Sequence, residues 1–508
     1  MRRRQGVGIH RANRWRASRV GRAALLRGRV DADGVMSVMR GSKSNGSKHT
    51  NGSNCSKPTF KLSQLHAGAL ALLVAILAAH ALLPSDEPGE CPHDEAACAF
   101  AGSYEAARAQ FRSLSRASGA SLFSLPIASN GSWPPLSIDV ALFGAQQHAD
   151  VLRLTTDDSP LLVHVSGTHG AEGYSGSAVQ LALLRRWAAD PAARPAGVRV
   201  ALVHALNPFG FHHGRRWNED GVDLNRNLLT DAEFARLTAE GEERHATYVK
   251  LVKPIVDWDA PYSVVGEARM WVGFLTAIAA NGFTAMKKAL VSGQYRCAGC
   301  CFYGGASLSA SHASLLQWLG EQTPSARSVI FLDVHTGLGP RGVDTLSSHQ
   351  TKGPDQQADA MLEAIFGNAS NGDVADRDFI LDIAGSSGNL NGPTAKPTAL
   401  SDGSYEVMLG GTGEYLPRMR GGWARALHVT QEFGTRPGIL VARAMAIESA
   451  EWRHRGGTPL GARTMRDAFY VRTGSWQRAV VRRGVEAVAQ ALKALADDGV
   501  AGRLPPNT

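Results

Sequence analysis

The chain has 508 residues, enough for two or three average domains or for one large α/β enzyme domain with a sizeable core. Its net charge of +9 comes from the N-terminus. Residues 1–61 hold 15 of the 54 Arg and Lys residues and two of the 45 Asp and Glu residues, which leaves 39 basic and 43 acidic residues, a net charge of −4, for the rest. A mildly acidic body without a zinc-finger or helix-turn-helix motif gives no reason to expect a nucleic-acid partner.

The N-terminal region consists of a polar tail and an apolar segment. Residues 1–66 are basic and rich in Ser, Asn and Gly, which predicts a disordered tail. Residues 67–83 are apolar apart from His80, and together with the basic flank they predict a single-pass membrane anchor with a lumenal or extracellular catalytic domain. Three alternatives stay open for this segment: a cleaved signal peptide in a secreted protein, an organellar targeting sequence, and a buried core helix.

The cysteines agree with an oxidising compartment. Cys91 and Cys98 follow the apolar segment, and Cys297, Cys300 and Cys301 form a C-x-x-C-C cluster in the middle of the chain. No second Cys or His pair stands at zinc-finger spacing from this cluster, so we expect one or two disulfides rather than a structural metal.

Residues 84–508 are predicted to form one catalytic domain, with the informative motifs between about residues 110 and 455. Apolar runs of strand length alternate here with helical patterns, which is typical of an α/β fold. We predict an α/β/α sandwich with a mixed, mostly parallel central sheet, and a helical or irregular insertion over residues 231–325. The predicted strands are SIDVALFG, LLVHVSG, VRVALVHAL, SVIFLDVHTG and ALHVTQEFG, and the predicted helices are SGSAVQLALLRRWAA and GILVARAMAIESAEW.

Four of these strands end in polar clusters. LLVHVSG runs into THGAEGYSG with His169 and Glu172, and VRVALVHAL runs into NPFGFHHGRRWNEDGVDLNRN. FLDVHTGLG places His335 at the end of a third strand, and HVTQEFGT places Glu432 at the end of a fourth. Ligands of α/β sheets gather at the carboxyl ends of strands, so the four clusters predict one site.

The residue types in these clusters suit a catalytic zinc site. Two imidazoles and one carboxylate leave the fourth position of Zn²⁺ open, which distinguishes a catalytic site from a closed structural one. A further carboxylate can take a proton from water and return it to a leaving amine. One Arg can stabilise a tetrahedral oxyanion, and a second Arg with an Asn can hold a substrate carboxylate.

At this point the sequence resembles the zinc carboxypeptidase superfamily, which includes succinylglutamate desuccinylases and aspartoacylases. HGAE matches the family's His-x-x-Glu, GVDLNRN matches Gly-x-Asp-x-Asn-Arg-Asn, DVHTG supplies a distant His, and TQE resembles the Thr-x-Glu around the general base. The resemblance implies one zinc ion bound by His169, Glu172 and His335, with Glu432 as the base. The chain is most similar to a bacterial group of undefined function within this superfamily.

The resemblance also implies roles in substrate binding. Asn225 and Arg226 should bind a substrate carboxylate, and Arg216 should polarise the scissile carbonyl, with Arg215 as the rival for that role. The family's carboxypeptidases place a Tyr over the substrate, and Tyr303 in CFYGG is the first candidate for it, with Tyr295 as the second.

The leading functional hypothesis is a zinc-dependent, metallocarboxypeptidase-like hydrolase that cleaves an amide bond next to a free carboxylate. Its substrate would be a small peptide or, if the protein is a deacylase, an N-acyl amino acid; Gly170-Ala171 inside HGAE is closer to the desuccinylase branch. GYSGS resembles the nucleophile elbow of a serine hydrolase, but Ser177 stands where that motif requires Gly. An inactive membrane-anchored binding module would be expected to lack a ligand or the base, and all four candidates are present.

Overall fold

The structure is a computed structural model in which residues 95–127, 134–144, 158–348, 356–367, 379–382 and 408–507 are described. By internal contacts the chain divides into two units, Met1–Lys61 and Leu62–Thr508, and all described residues belong to the second. The predicted disordered tail, the apolar segment 67–83 and Cys91 lie outside the described residues.

The described residues contain one sheet of eight strands in the order β1-β2-β4-β3-β5-β8-β6-β7. The strands are β1 (Ser121–Ile127), β2 (Leu136–Phe143), β3 (Leu161–Val165), β4 (Arg199–His204), β5 (Val329–Arg341), β6 (Asp344–Ser347), β7 (Phe379–Asp382) and β8 (Ala426–Gly434). The neighbours β4, β3, β5 and β8 run parallel, whereas β1 with β2, β2 with β4, and β6 with β8 pair antiparallel. The predicted mixed sheet with a parallel centre is confirmed.

Helices precede, connect and follow the strands. They are α1 (Glu95–Ala99), α2 (Tyr104–Ala117), α3 (Gly173–Ala189), α4 (Pro208–His213), α5 (Asp231–Thr238), α6 (Glu243–Thr247), α7 (Lys253–Val256), α8 (Val264–Asn281), α9 (Phe283–Val291), α10 (Ala310–Gln322), α11 (Gln356–Leu362), α12 (Tyr415–Arg418), α13 (Gly438–Arg455), α14 (Pro459–Phe469), α15 (Gly474–Ala496) and α16 (Asp498–Ala501). The predicted insertion is helical, because α5 to α10 lie between β4 and β5.

Both faces of the sheet are buried, and the alternation of side chains along each strand decides which face a residue occupies. On β3, Leu162 belongs to a core that includes Trp187 of α3 and Val488 of α15. Its neighbours Leu161 and Val163 belong to a second core on the opposite face, which includes Leu315, Trp318 and Leu319 of α10. Helices therefore cover both faces, which confirms the predicted α/β/α sandwich.

The insertion has an apolar core of its own. Tyr248, Ile255, Met270 and Trp271 pack in a third cluster that also includes Met445 of α13. This cluster joins the insertion to the helix that follows β8, so the insertion forms a wall beside the ends of β5 and β8.

The described cysteines are mostly paired. Cys297 and Cys300 form a disulfide within the insertion, and Cys98 is also disulfide-bonded. Cys301 is a free, buried thiol.

The predicted membrane localisation needs a correction. Within residues 95–507, as far as they are described, no helix is both long and apolar enough to cross a bilayer. The longest helix, α15, has 23 residues. It is amphipathic: one face packs on the sheet, and it carries five charged side chains, those of Arg478, Arg482, Arg483, Glu486 and Lys493. The prediction of a single-pass membrane protein is therefore wrong for the structure as described, and the segment 67–83 on which it rested lies outside the described residues.

Candidate metal centre and substrate cleft

The side chains of His169, Glu172 and His335 converge where β3 ends, beside the middle of β5. All three are buried, and one potential ligand atom from each lies within 4.8 Å of the other two. The Nδ1 atoms of the two histidines are 3.3 Å apart, and the Nδ1 atom of His169 is 2.9 Å from Oε1 of Glu172. The two imidazoles thus present the same ring nitrogen to one point.

The opposite ring nitrogen of each histidine faces a buried aspartate. Nε2 of His169 lies 3.0 Å from Oδ1 of Asp223, and Nε2 of His335 lies 2.6 Å from Oδ2 of Asp333. Asp333 is itself held by hydroxyl groups of Thr168 and Thr412, which donate to its two oxygens. Histidine ligands of metals commonly donate their second N–H to a carboxylate, which fixes the tautomer and leaves the other nitrogen free to bind the metal.

Charge in this cluster favours the ionised, metal-binding form of Glu172 but the protonated form of His335. Burial alone would raise the pKa of Glu172, but the neighbouring His169, His335 and Arg216 outweigh burial and hold this pKa below its ordinary value. Burial would lower the pKa of His335, but Asp333 and Glu172 outweigh it and raise this pKa well above its ordinary value.

The donor set fits zinc. Two imidazole nitrogens and one ionised carboxylate are the ligands of open, catalytic zinc sites, and the two aspartates supply the outer contacts that such histidines need. His169, Glu172 and His335 are therefore the residues that would hold the metal.

The turn between β3 and α3 positions two of these ligands. His169 follows β3, and Gly170–Glu172 form one 3-10 turn before α3 begins. The turn is pressed against α4: a Cβ atom on Gly170 would lie 1.9 Å from the carbonyl carbon of Gly210. This close approach explains why glycine occupies position 170.

Glu432 lies directly beside the ligand His335 on the sheet. β5 and β8 pair in parallel, and His335 is aligned with Glu432 in their register. The Glu432 carboxylate accepts a hydrogen bond of 2.8 Å from the Leu338 backbone N–H. Burial and the nearby Glu172 charge raise the pKa of Glu432 to about 7, a value suited to a general base near neutral pH.

The two consecutive arginines face different parts of the molecule. The Arg216 guanidinium lines the cleft, donating to Oε1 of Glu172 at 2.9 Å and to Oδ2 of Asp223 at 3.0 Å. Arg215 instead pairs with Glu448 at 2.6 Å and stacks on Trp452, with its guanidinium carbon 3.8 Å from the ring centre. Of the two rivals, Arg216 is the one that reaches the cleft.

Asn225 and Arg226 line the same cleft, which has a volume of about 100 Å³. They form one 3-10 turn with Leu224, and the Asn225 side-chain oxygen accepts from the Thr412 backbone N–H at 3.3 Å. The Arg226 guanidinium donates to the carbonyl oxygens of Val291 and Asn225, at 2.9 and 2.6 Å. These hydrogen bonds hold the guanidinium group of Arg226 against one wall of the cleft.

Tyr303 does not join this site. It is not among the residues that line the cleft, and its side chain packs instead against the apolar core between the sheet and α10. Phe302 occupies the cleft wall, with the guanidinium carbons of Arg216 and Arg226 5.4 and 5.9 Å from its ring centre. The second candidate, Tyr295, is buried and donates from its hydroxyl to the Arg226 carbonyl oxygen at 2.9 Å, so it supports the turn that carries Arg226.

Sequence reasoning missed the two aspartates as partners of the histidines. Asp333 stands two residues before His335 on one strand, a spacing that places both side chains on the same face. That spacing was a usable signal. Asp223 carries no such local signal, because its contact with His169 arises only when two loops meet.

The serine-hydrolase alternative has no geometry in its favour. Ser175 lies in the first turn of α3, fully buried, and its hydroxyl has no hydrogen-bond partner among the described residues. A nucleophile needs a neighbouring base, so this serine does not form a catalytic pair.

Several solved structures are similar to this chain. Bovine thrombin-activatable fibrinolysis inhibitor in complex with tick carboxypeptidase inhibitor is 10% identical, with 78% of this chain and 97% of that chain covered and a TM-score of 0.38. Carboxypeptidase A from Helicoverpa armigera is 15% identical, with 80% and 81% covered and a TM-score of 0.34. A metallo-carboxypeptidase from Burkholderia cenocepacia is 15% identical, with 76% and 69% covered and a TM-score of 0.30.

The second and third of these structures are carboxypeptidases by name. No match was found among curated proteins. Residues 100–483 match the family described as "Protein of unknown function (DUF2817)". The chain belongs to this DUF2817 family.

Proposed function

We propose that this protein is a zinc-dependent hydrolase that cleaves an amide bond next to a free carboxylate. One observation carries the proposal: a buried His-Glu-His cluster with open space beside it lies in one cleft with a carboxylate and two arginines. When bound to His169, Glu172 and His335, zinc supplies Lewis acidity at an open coordination position.

Glu432 moves the proton in this proposal. Its carboxylate takes a proton from the attacking water, the water oxygen bonds to the carbonyl carbon, and the C–N bond breaks as Glu432 returns the proton to the amine nitrogen. The elevated pKa of Glu432, about 7, supports both directions of transfer, because neither the acid nor the base form is strongly favoured near neutral pH.

Arg216 stabilises negative charge on the carbonyl oxygen as the water adds. Asp223 and Glu172 anchor its guanidinium from one side, so the group is oriented before substrate arrives. A donor that is already oriented needs no reorganisation during the reaction, which is the basis of its stabilising effect.

Asn225 and Arg226 hold the substrate carboxylate. A planar guanidinium matches a carboxylate with two parallel hydrogen bonds, which a lysine does not provide. Because the Val291 and Asn225 carbonyl oxygens restrain Arg226, the carboxylate would be held at a defined distance from the metal ligands. Peptides and N-acyl amino acids both satisfy this requirement.

The function is tested by comparing a substrate with its carboxamide analogue, in the wild type and in an Arg226 variant. We expect the wild type to cleave the free acid much faster. Arg226→Ala should raise KM for the free acid strongly, and Arg226→Lys should recover only part of the binding. An enzyme that cleaves acid and amide equally, with Arg226→Ala lowering both rates alike, would refute carboxylate recognition.

A further inference from the structure

A second cavity adjoins the candidate cleft. It has a volume of about 320 Å³, against about 100 Å³ for the cleft. The two spaces share the wall residues Leu290, Val291, Gly337, Leu338 and Gly438. The two spaces therefore lie side by side, and the larger one is within the range of small-molecule sites.

The walls of the larger cavity are almost entirely apolar. Its side chains come from the insertion, including Ile255, Phe274 and Met286, and from α13, including Ile439 and Ala442. Among the described residues that line it, Arg436 is the only one with a charged or polar side chain.

The apolar lining determines which chemical groups bind favourably in the cavity. A peptide chain would bring N–H and C=O groups into a space that offers few partners, and an unsatisfied buried polar group costs free energy. A hydrocarbon chain has no such groups, and its transfer from water into an apolar cavity is favourable.

The position of the cavity beside the cleft sets the orientation of that chain. The carboxylate end of a substrate is held at Asn225 and Arg226, and the small cleft leaves room for a small amino acid and the scissile amide. Leu338, whose N–H binds Glu432, lines both compartments, so the cavity begins beside the base. A group that fills this cavity is larger than an amino-acid side chain. In an amide substrate, a group of this size is best supplied by the acyl side.

We propose that the substrates are N-acyl amino acids with a long hydrocarbon acyl chain, and that the cavity between the insertion and α13 holds this chain. The inference rests on the proposed function. Hydrolysis adds the water oxygen to the acyl carbon, breaks the C–N bond and moves a proton to the nitrogen, which releases a fatty acid and a free amino acid.

The first test is a chain-length series on the zinc-loaded full chain: N-acetylglycine, N-hexanoylglycine, N-dodecanoylglycine and a dipeptide. We expect kcat/KM to rise about fourfold for each added methylene until the cavity is full. Cleavage of N-acetylglycine or the dipeptide with no dependence on acyl length would overturn the inference and leave the proposed function intact. If no member of the set, nor any other amide with a free carboxylate, is cleaved, both fail.

The second test alters the cavity. Ile439→Trp fills space and should lower kcat/KM for N-dodecanoylglycine at least tenfold while N-acetylglycine is unaffected, and Phe274→Ala should shift the preferred acyl length upward. Val272→Trp is the matched control, because Val272 lies on the same helix as Phe274 but is 52% exposed and does not line the cavity. Equal loss on the short and long substrates in Ile439→Trp, at unchanged zinc content, would show that the cavity does not hold the acyl chain.

Discussion

Glu432 is the residue whose proposed role is most directly separable from metal binding. Its carboxylate is not among the three potential ligands, and it contacts the Leu338 N–H. We therefore expect Glu432→Gln to keep zinc and substrate affinity but to lose kcat by about 10² to 10⁴-fold, the usual contribution of a general base. Zinc analysis and steady-state kinetics on the same preparation measure both quantities. Loss of zinc in this variant would assign Glu432 to the metal site instead.

The pH dependence of kcat/KM is a second test of the proposed role of Glu432. The base must be ionised to accept a proton, and burial with the nearby Glu172 raises the pKa of Glu432 to about 7. As pH falls through this pKa, Glu432 becomes protonated and kcat/KM should fall tenfold per pH unit. Bound zinc favours the ionised form, so the acid limb should lie at or below about pH 7. The residual activity of Glu432→Gln should lack this limb; a limb that persists belongs to another group.

Asp333 should act on the metal through His335. Its carboxylate holds Nε2 of His335 and so presents the other nitrogen to the metal site. We expect Asp333→Asn to lower zinc affinity by about 10- to 100-fold, measured by competition with a chelator.

Asp344→Asn is the control for Asp333→Asn. Asp344 is equally buried but pairs with Arg483 and Gln431, away from the cleft. This control should cost stability and leave zinc affinity unchanged. Equal affinity losses in both variants would mean that the effect of Asp333→Asn is general rather than transmitted by His335.

At the scale of elements, the turn between β3 and α3 is the most constrained part of the site. A methyl group on Gly170 would overlap the α4 backbone, which cannot rotate away as a side chain can. Gly170→Ala should therefore destabilise the fold by at least about 3 kcal/mol, the upper end for overpacking, and lower zinc content by displacing His169 and Glu172. Gly320→Ala on α10 is the control, since nothing lies within 4 Å of its added methyl group. Denaturant unfolding distinguishes them, and near-equal stabilities would contradict the close approach.

Most of the central sheet was predictable from the sequence, because its strands are continuous apolar runs that end in polar turns. β2, β3, β4, β5 and β8 all follow that pattern, and all of their side chains except those at the end of β5 are buried. The outer strands β1, β6 and β7 were not predicted. β1 is half-exposed and contains a proline, and β6 and β7 have four residues each, too few to display a period.

The candidate site likewise contains residues that could be predicted from the sequence and residues that could not. His169, Glu172 and His335 could be predicted because each stands in a motif within or just after a recognisable strand, and the structure brings them together. Tyr303 was misplaced because composition cannot tell which of two adjacent aromatic residues faces a cleft; that position belongs to Phe302. Asp223 needed knowledge of how loops meet, which only the folded chain supplies.

For the whole molecule, the proposed metal ligands come from distant parts of the chain. His169 and His335 are 166 residues apart in sequence. A metal that binds only the folded arrangement stabilises it by mass action, by about 2.7 kcal/mol at a free concentration 100 times Kd. Zinc should raise the melting temperature of the metal-free protein, and a chelator should reverse the rise.

Variants of the ligands test this expectation. His169→Ala and His335→Ala should abolish both the zinc-dependent shift and stoichiometric binding. His454→Ala should retain both, since His454 is exposed and contacts only the Trp258 carbonyl oxygen among the described residues. Stoichiometric zinc in both ligand variants would mean that the metal binds elsewhere.

The parallel pairing of β5 with β8 has a consequence for how this protein can change. His335 and Glu432 are aligned by backbone hydrogen bonds of the sheet, whereas most side chains that line the apolar cavity come from the inserted helices and from α13. A one-residue slip of the pairing would turn a side chain to the other face, so the spacing of base and ligand admits little variation. Substitutions in the inserted helices leave that spacing untouched. Substrate preference can therefore diverge among relatives, or be redesigned, while the reacting groups stay where the sheet holds them.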